Sequence, residues 1–340
     1  MPRIAFIILL FVSPLLVQGQ IGGKRSFEFV NIPSNPRLAG LGGVNVSLAN
    51  EDVNLAFSNP ALNGDTLSGS ASFSYLDYFA DVSVLSTIYQ HDFGKYGSWF
   101  FGVQHINFGD IESYDATGAA IGNFGNNETL LIIGRSHQIG VFTLGGSLKF
   151  MNSNISSFSS NALAIDIGGT FQHPNKQFTA GLTFKNVGFV LSEYTETSNT
   201  KLPFDIQLGM TFKPEHMPFR FSLTGYNLRQ GDISYFDPNG IEILEDKGSL
   251  DNALRHLNIG AELLLGKNVN LRVGYNHLIK QELKLNDTNG GAGLSFGLMF
   301  RVKAFEFAYS RGGYHAAGGS NSFGVTANTN LFLKRTKSIL

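Results

Sequence analysis

Strict alternation of apolar and polar side chains is the feature that most constrains this chain. From Phe204 to Lys213 every second residue is apolar, and the residues between are polar or glycine. The same period of two recurs in residues 163–171 and 294–302. A helix would scatter these apolar residues around its circumference, so the pattern predicts strands with one apolar face.

The number and length of these segments predict how the strands assemble. There are about fourteen of them, each about ten residues long, which is the length of a tilted strand that crosses a bilayer. Beyond the first residues, no segment approaches the roughly 18 continuous apolar residues of a transmembrane helix. Only helices and closed barrels satisfy every backbone group in lipid, so we predict an all-β, antiparallel outer-membrane barrel. The predicted strands are 70–79, 82–91, 97–108, 128–137, 140–151, 160–172, 177–189, 204–213, 218–228, 252–265, 268–279, 291–302, 304–311 and 319–332.

The connections alternate in length from the second strand onward. Outer-membrane barrels have short periplasmic turns and longer external loops, so this alternation favours a membrane barrel over a soluble sandwich. The short connection at residues 80–81 is the exception. The predicted long connections are 109–127, 152–159, 190–203, 229–251, 280–290 and 312–318. Aromatic residues beside the short turns predict a girdle at one membrane interface; they are Phe93, Tyr96, Trp99, Phe171, Phe178, Phe212, Phe219, Phe300 and Phe305.

Composition excludes several classes of protein. Charged residues make up 15% of the chain, against about a quarter in soluble domains. The net charge of −1 gives no electrostatic footprint for a nucleic acid, so none is expected as a partner. The absence of cysteine excludes disulfides, thiolate nucleophiles and zinc–thiolate sites.

The chain divides into four predicted parts. Arg3 and the apolar residues 4–17 have the pattern of a signal peptide, residues 1–19, cleaved before Gln20. Residues 20–69 are rich in proline and glycine and do not alternate. A lumen of about fourteen strands is too wide for side chains alone to fill, so this segment is predicted to be a lumenal plug. Residues 70–332 form the predicted barrel, and residues 333–340 form a C-terminal tail.

Motifs for catalysis or cofactor binding are missing. The sequence has neither G-x-S-x-G nor H-E-x-x-H, and residues 260–267 fail the spacing of a phosphate loop. We therefore expect no enzyme activity, no cofactor and no resident metal. Glu242, Glu245 and Asp246, in the longest predicted loop, are left as a weak alternative for a divalent ion.

The predicted plug resembles that of the FadL-like outer-membrane barrels. The chain is more closely similar to the PorQ family of the type IX secretion system of Bacteroidetes, in stretches such as 27–29, 52–56, 59–62, 78–81 and 202–209. The plug residues singled out by this resemblance are Arg37, Gly40, Gly42, Gly43, Asn45, Asn54, Asn59, Pro60 and Ala61.

The resemblance implies a non-enzymatic component of that secretion system in the outer membrane of a Gram-negative, Bacteroidetes-like bacterium. Its external loops would hold a soluble surface subunit similar to PorZ, with PorU and PorV in the same cargo-attachment complex. Outer-membrane lipid and lipopolysaccharide would surround the barrel. Tyr235, Phe236 and Pro238, in the longest predicted loop, are candidate apolar anchors for this partner.

A second function remains open, that of a FadL-like transporter for hydrophobic small molecules. Such a transporter needs an apolar pocket between plug and wall. Phe27, Phe29, Phe57 and Leu62 are candidates to line it, although the same residues would equally seal the plug in place. A hydrolase on the barrel surface would need paired serine and histidine side chains, which the sequence does not indicate.

Overall fold

The strands close into a barrel. The computed structural model describes residues 25–231, 233, 249–283, 291–315 and 318–331. Within them fourteen strands each pair antiparallel with their neighbours in sequence, and β1 pairs with β14 to complete the ring. The predicted fold class is thus confirmed. The strands are β1 (Ser70–Asp77), β2 (Ser83–Asp92), β3 (Ser98–Tyr114), β4 (Ala120–Ile139), β5 (Phe142–Ile155), β6 (Phe158–Gln172), β7 (Phe178–Ser192), β8 (Asp205–Phe212), β9 (Phe219–Gly225), β10 (Leu257–Leu265), β11 (Val269–Asn276), β12 (Leu294–Val302), β13 (Phe305–His315) and β14 (Gly318–Asn328).

Short helices complete the described structure. The α-helices are α1 (Pro36–Gly40), α2 (Ser249–Arg255) and α3 (His277–Leu283). The 3₁₀ turns are Glu28–Asn31, Val53–Phe57, Pro60–Leu62, Asp65–Leu67 and Gly94–Tyr96. No helix in the described part of the chain is long and apolar enough to cross a membrane.

The two faces of the wall differ as the alternation predicts. On β1, Phe73 and Tyr75 are exposed on the outside, whereas Ser72 and Ser74 are buried on the inside. On β8, Leu208 is exposed and Gln207 is buried. An apolar outer face around a polar lumen is the surface of a transmembrane barrel.

The two ends of the barrel have different connections. At one end, here called the turn end, the strands join through residues 93–97, 140–141, 173–177, 213–218, 266–268 and 303–304. The other end, here called the loop end, carries residues 193–204 and both α2 and α3. Phe93, Tyr96, Phe212, Phe219, Phe300 and Phe305 are exposed beside the turn end, where the aromatic girdle is predicted.

Several predicted boundaries are wrong at the loop end. The predicted loop 109–127 is mostly strand, because β3 and β4 continue as a hairpin. The predicted loop 152–159 is also strand apart from a two-residue connection, and 312–318 is largely strand too. Outside lipid a strand needs no apolar face, so these extensions lack the alternation on which the prediction depends.

Three predicted strands end wrongly where helices or turns begin. Residues 252–255 belong to α2 instead of β10, and residues 277–279 belong to α3 instead of β11. The last strand stops at Asn328. The signal peptide, the C-terminal tail and the residues Glu242, Glu245 and Asp246 lie outside the described residues.

Residues 25–69, called the lumenal segment from here on, lie inside the ring. The segment starts at the loop end, where Ser26 N donates to Lys201 O over 3.1 Å. It ends at the turn end, where Gly69 N donates to Gln90 O over 2.8 Å just before β1. It therefore runs through the barrel from one end to the other.

Candidate functional site

Side-chain caps give the lumenal segment its local structure. Asn35 Oδ1 accepts a hydrogen bond from Leu38 N over 2.9 Å and so caps α1, with Pro36 in the first turn. Asp52 and Asn59 cap the next two 3₁₀ turns in the same way, through Asn54 N and Ala61 N. These caps satisfy backbone groups that would otherwise be buried without partners.

A buried arginine–glutamate network joins the lumenal segment to the wall. Arg37 Nη2 lies 2.9 Å from Glu262 Oε1 on β10. Arg220 Nη1 and Arg272 Nε lie 3.0 and 3.3 Å from the same carboxylate, because both residues stand directly opposite Glu262 in the sheet. Glu51 Oε1 and Oε2 lie 2.8 Å from Arg220 and 3.3 Å from Arg37. The network thus ties the segment to strands β9, β10 and β11.

Arg37 is buried with its charge paired. Its guanidinium lies 2.9 Å from Glu262 and 3.3 Å from Glu51. A buried charge is tolerated when it is paired and hydrogen-bonded, which both carboxylates achieve here.

Glycines allow the segment to lie against the wall. Gly42 has a φ of +90°, and a Cβ there would overlap the side chain of Asn258. Asn258 Nδ2 in turn donates to Leu41 O and Val44 O over 2.8 and 2.7 Å. On the opposite side, Gly145 and Gly168 of β5 and β6 leave room for the turn at residues 59–61.

The structure places all nine predicted plug residues in the lumenal segment. Gly40 ends α1 against Gly297 of β12, and Gly43 follows Gly42 with a φ of +95°. Asn45 Oδ1 accepts from two backbone amides, and Asn54 Nδ2 donates to Ser72 Oγ over 2.8 Å. Asn59, Pro60 and Ala61 form the turn against β5 and β6. Asn45 and Gly43 make their contacts within the segment itself, whereas the other residues lie against the wall. The candidates Tyr235, Phe236 and Pro238 lie outside the described residues.

A cavity of about 580 Å³ lies between the lumenal segment and the wall at the loop end. Its apolar lining includes Val30, Leu38, Phe57 and Leu130, and Leu278 of α3 borders it from above. Of the predicted pocket residues only Phe57 lines this cavity. Phe27 and Phe29 are packed in an apolar cluster with the wall, and Leu62 belongs to a second cluster.

One side of this cavity is polar. Lys185 of β7 and Asp205 of β8 line it and face each other in register. Both are buried, at 6% exposure each, yet Lys185 forms no salt bridge within the described part of the chain. The β7 backbone bulges at Asn186, whose N donates to Asp166 Oδ1 over 2.7 Å.

A second cavity, of about 40 Å³, lies at the turn end between residues 47–51 and the wall. The two cavities share no lining residue, and the lumenal segment lies between them.

The alternation of residues 204–213 predicts an inward Asp205, but sequence reasoning missed Glu262 and Glu51 as partners of Arg37, and Lys185 as a cavity residue. Glu262 interrupts an apolar stretch at an inward position of β10. A single charge at such a position is the signal that could have indicated it. Among the described residues no group of three histidine or carboxylate side chains could hold a metal. The absence of catalysis and of a cofactor stays a prediction.

Comparison with solved structures finds proteins of similar fold. The toluene transporter TbuX of Ralstonia pickettii matches with a TM-score of 0.51 and 12% identity, over 88% of this chain and 98% of that chain. The chain shares the fold of TbuX. A Pseudomonas aeruginosa FadL homologue matches with a TM-score of 0.46 and 10% identity, over 87% and 98%. The monoaromatic hydrocarbon channel TodX, as a deletion mutant, matches with a TM-score of 0.49 and 12% identity, over 88% of this chain and 98% of that chain. No protein-family model matches the sequence, and no curated protein matches it significantly.

Proposed function

We propose that this chain is an outer-membrane transporter for hydrophobic small molecules. The cavity of about 580 Å³ at the loop end carries the proposal, since its size suits a small ligand. In this proposal the loop end faces the outside of a Gram-negative cell, and the lumenal segment is the plug that must move for release into the periplasm.

The lining indicates the kind of molecule. Val30, Leu38, Phe57 and Leu130 offer an apolar surface for the body of the ligand, and Lys185 offers a cation for a polar group. Ligand sites commonly combine a mostly apolar wall with a few polar groups that fix orientation. The shared fold with a toluene transporter supports the same class of ligand.

Equilibrium dialysis of radiolabelled toluene against the purified protein tests this proposal, with matched detergent as the blank. Val44→Trp places a large ring in the cavity, because Val44 lines it and is half-buried. Val103→Trp is the matched control, because Val103 is exposed on the outer face of β3. We expect toluene binding to weaken at least about tenfold in the first variant and to be unchanged in the second. Equal binding by both variants would exclude the cavity as the site.

A second candidate is an anchor in the type IX secretion system, as the resemblance to the PorQ family implies. The observation that favours it is the separation of the two cavities by a segment tied to the wall through buried charges. A barrel closed in this way is suited to hold a partner at the surface. The partner would be a soluble subunit similar to PorZ, in a complex with proteins similar to PorU and PorV.

Affinity purification from gently solubilised outer membranes distinguishes the two candidates. A large soluble exported protein recovered in stoichiometric amount, together with no toluene binding, would support the anchor. A barrel purified without a protein partner, but with a bound hydrophobic molecule, would support the transporter.

A further inference from the structure

A two-stranded ribbon projects from the loop end beyond the rest of the wall. β3 pairs with β2 only as far as Asn107, and β4 pairs with β5 only from Asn126 onward. Residues 108–125, called the β3–β4 ribbon, pair only with each other in the described structure, for example through Asp110 and Gly125. At about 3.4 Å per residue, residues 108–114 extend the strand by about 20 Å.

Neither backbone edge of the ribbon pairs with another strand in the residues that the structure describes. In an antiparallel pair the outer N–H and C=O groups of each strand point away from its partner. Natural proteins usually protect such an edge with lysine or proline, and residues 108–125 contain neither. Instead Ile111, Tyr114 and Ile121 are exposed there, at 38%, 56% and 64%. An edge with exposed apolar residues and neither lysine nor proline can be a template for another strand.

The charge of the ribbon is entirely negative. Asp110, Glu112 and Asp115 lie on it, and no lysine, arginine or histidine occurs from residue 106 to residue 134. Asp115 Oδ1 accepts hydrogen bonds from Thr117 N and Ala119 N, which shapes the turn at the tip. Like charges repel, so a second copy of this ribbon or an anionic lipid surface is disfavoured as its neighbour.

We propose that the edge of β3 on this ribbon, residues 110–114, binds a strand of a soluble protein that alternates basic and apolar residues. The added strand would continue the backbone hydrogen bonding of the ribbon, which supplies affinity. Its lysine or arginine side chains would lie beside Asp110 and Glu112, the two carboxylates on this strand, which supplies selectivity. This proposal is independent of the cavity and of any transported molecule.

Three synthetic peptides test the proposal on the full-length protein in non-ionic detergent. The first alternates lysine and valine, the second lysine and proline, and the third glutamate and valine, all blocked at both ends. The second has the charge of the first but cannot form a ladder, and the third forms strands with the opposite charge. Binding is measured by titration, and its location by hydrogen exchange of the backbone amides.

We expect only the lysine–valine peptide to slow exchange in residues 110–114, with affinity at least about tenfold above that of either control peptide. The double variant Asp110→Asn with Glu112→Gln should lose this preference. Glu193→Gln with Glu196→Gln, on the neighbouring 193–204 connection, is the matched control and should retain it.

Other outcomes would overturn the proposal. Equal binding of the lysine–proline peptide would mean attraction of charge without strand addition. Equal binding of the glutamate–valine peptide would mean that the carboxylates select nothing. No protection of residues 110–114 by the lysine–valine peptide at millimolar concentration, or a ribbon-mediated dimer in analytical ultracentrifugation, would exclude the proposed occupant.

Discussion

Replacing Glu262 by glutamine should release the lumenal segment from the wall. The Glu262 carboxylate is the common partner of Arg37, Arg220 and Arg272, at 2.9, 3.0 and 3.3 Å. Its side chain is only 2% exposed, and those of Arg37 and Arg272 are 4% and 0% exposed. Removing one partner of a buried ion pair costs about 3–5 kcal/mol. Glutamine keeps one accepting oxygen, so we expect about 3 kcal/mol, the lower end of that range.

This free energy corresponds to a change in how often the segment opens. About 3 kcal/mol is close to a hundredfold change in an equilibrium constant. The chain contains no cysteine, so Ala39→Cys provides a unique probe within α1, where Ala39 is buried. Reaction of this thiol with a maleimide should be about a hundredfold faster when Glu262→Gln is added.

A control variant and a double-mutant cycle show whether the change in labelling rate comes from the Arg37–Glu262 contact. Asp166→Asn removes the partner of Lys149 on β5 and β6, whereas α1 packs against β11 to β14, so this substitution should leave the labelling rate of the Ala39→Cys thiol unchanged. Combining Arg37→Gln with Glu262→Gln should cost less than the sum of the two single changes, because both break the same contact. Unchanged labelling in Glu262→Gln, or full additivity of the two changes, would refute the network as the tie between segment and wall.

Three further outcomes are expected. Gly42→Ala should lower the thermal unfolding temperature of the barrel more than Gly118→Ala. Both glycines have a positive φ, but a Cβ at Gly42 overlaps a wall side chain whereas one at Gly118 meets nothing. An equal fall in unfolding temperature for the two variants would contradict this. Burial acts to raise the pKa of Asp251, but hydrogen bonds from His277 and Arg255 outweigh it and hold that pKa below its usual value. The contact of α2 with α3 is therefore fully stabilised at pH values above about 4, the pKa of the Asp251 carboxyl in the unfolded chain, and weakens as the pH falls below it. Hydrogen exchange of the backbone amides, corrected for intrinsic rates, should accelerate in both helices at pH 3. Asp251→Asn should remove this pH dependence. Finally, the unboiled protein should migrate differently from the boiled protein on a gel and give a β-dominated spectrum in detergent; a helical spectrum would contradict the barrel.

The fold was predictable where lipid imposes a rule on the sequence. Between residues 204 and 213 the outer face must be apolar and the inner face polar, so the strand is visible in the sequence. The β3–β4 ribbon and α2 lie at the loop end beyond the paired wall, and there the sequence does not show the alternation on which the prediction depends. The partners of Arg37 were not predictable for a different reason. Glu262 lies 225 positions away, and only the pairing of strands and the path of the segment bring the two together.

The path of the lumenal segment also limits the order in which the molecule can fold. The segment occupies the space inside a ring that is completed when β1 pairs with β14, a contact between residues as distant in sequence as Ser70 and Asn328. Contacts between such distant residues form slowly because a long loop must first be closed. If the pairing of β1 with β14 formed first, the segment would have to thread through a closed ring with its charged side chains unpaired. Wrapping the strands around a segment already in position avoids that step, so the seam between the first and last strands should be the last part of the wall to assemble.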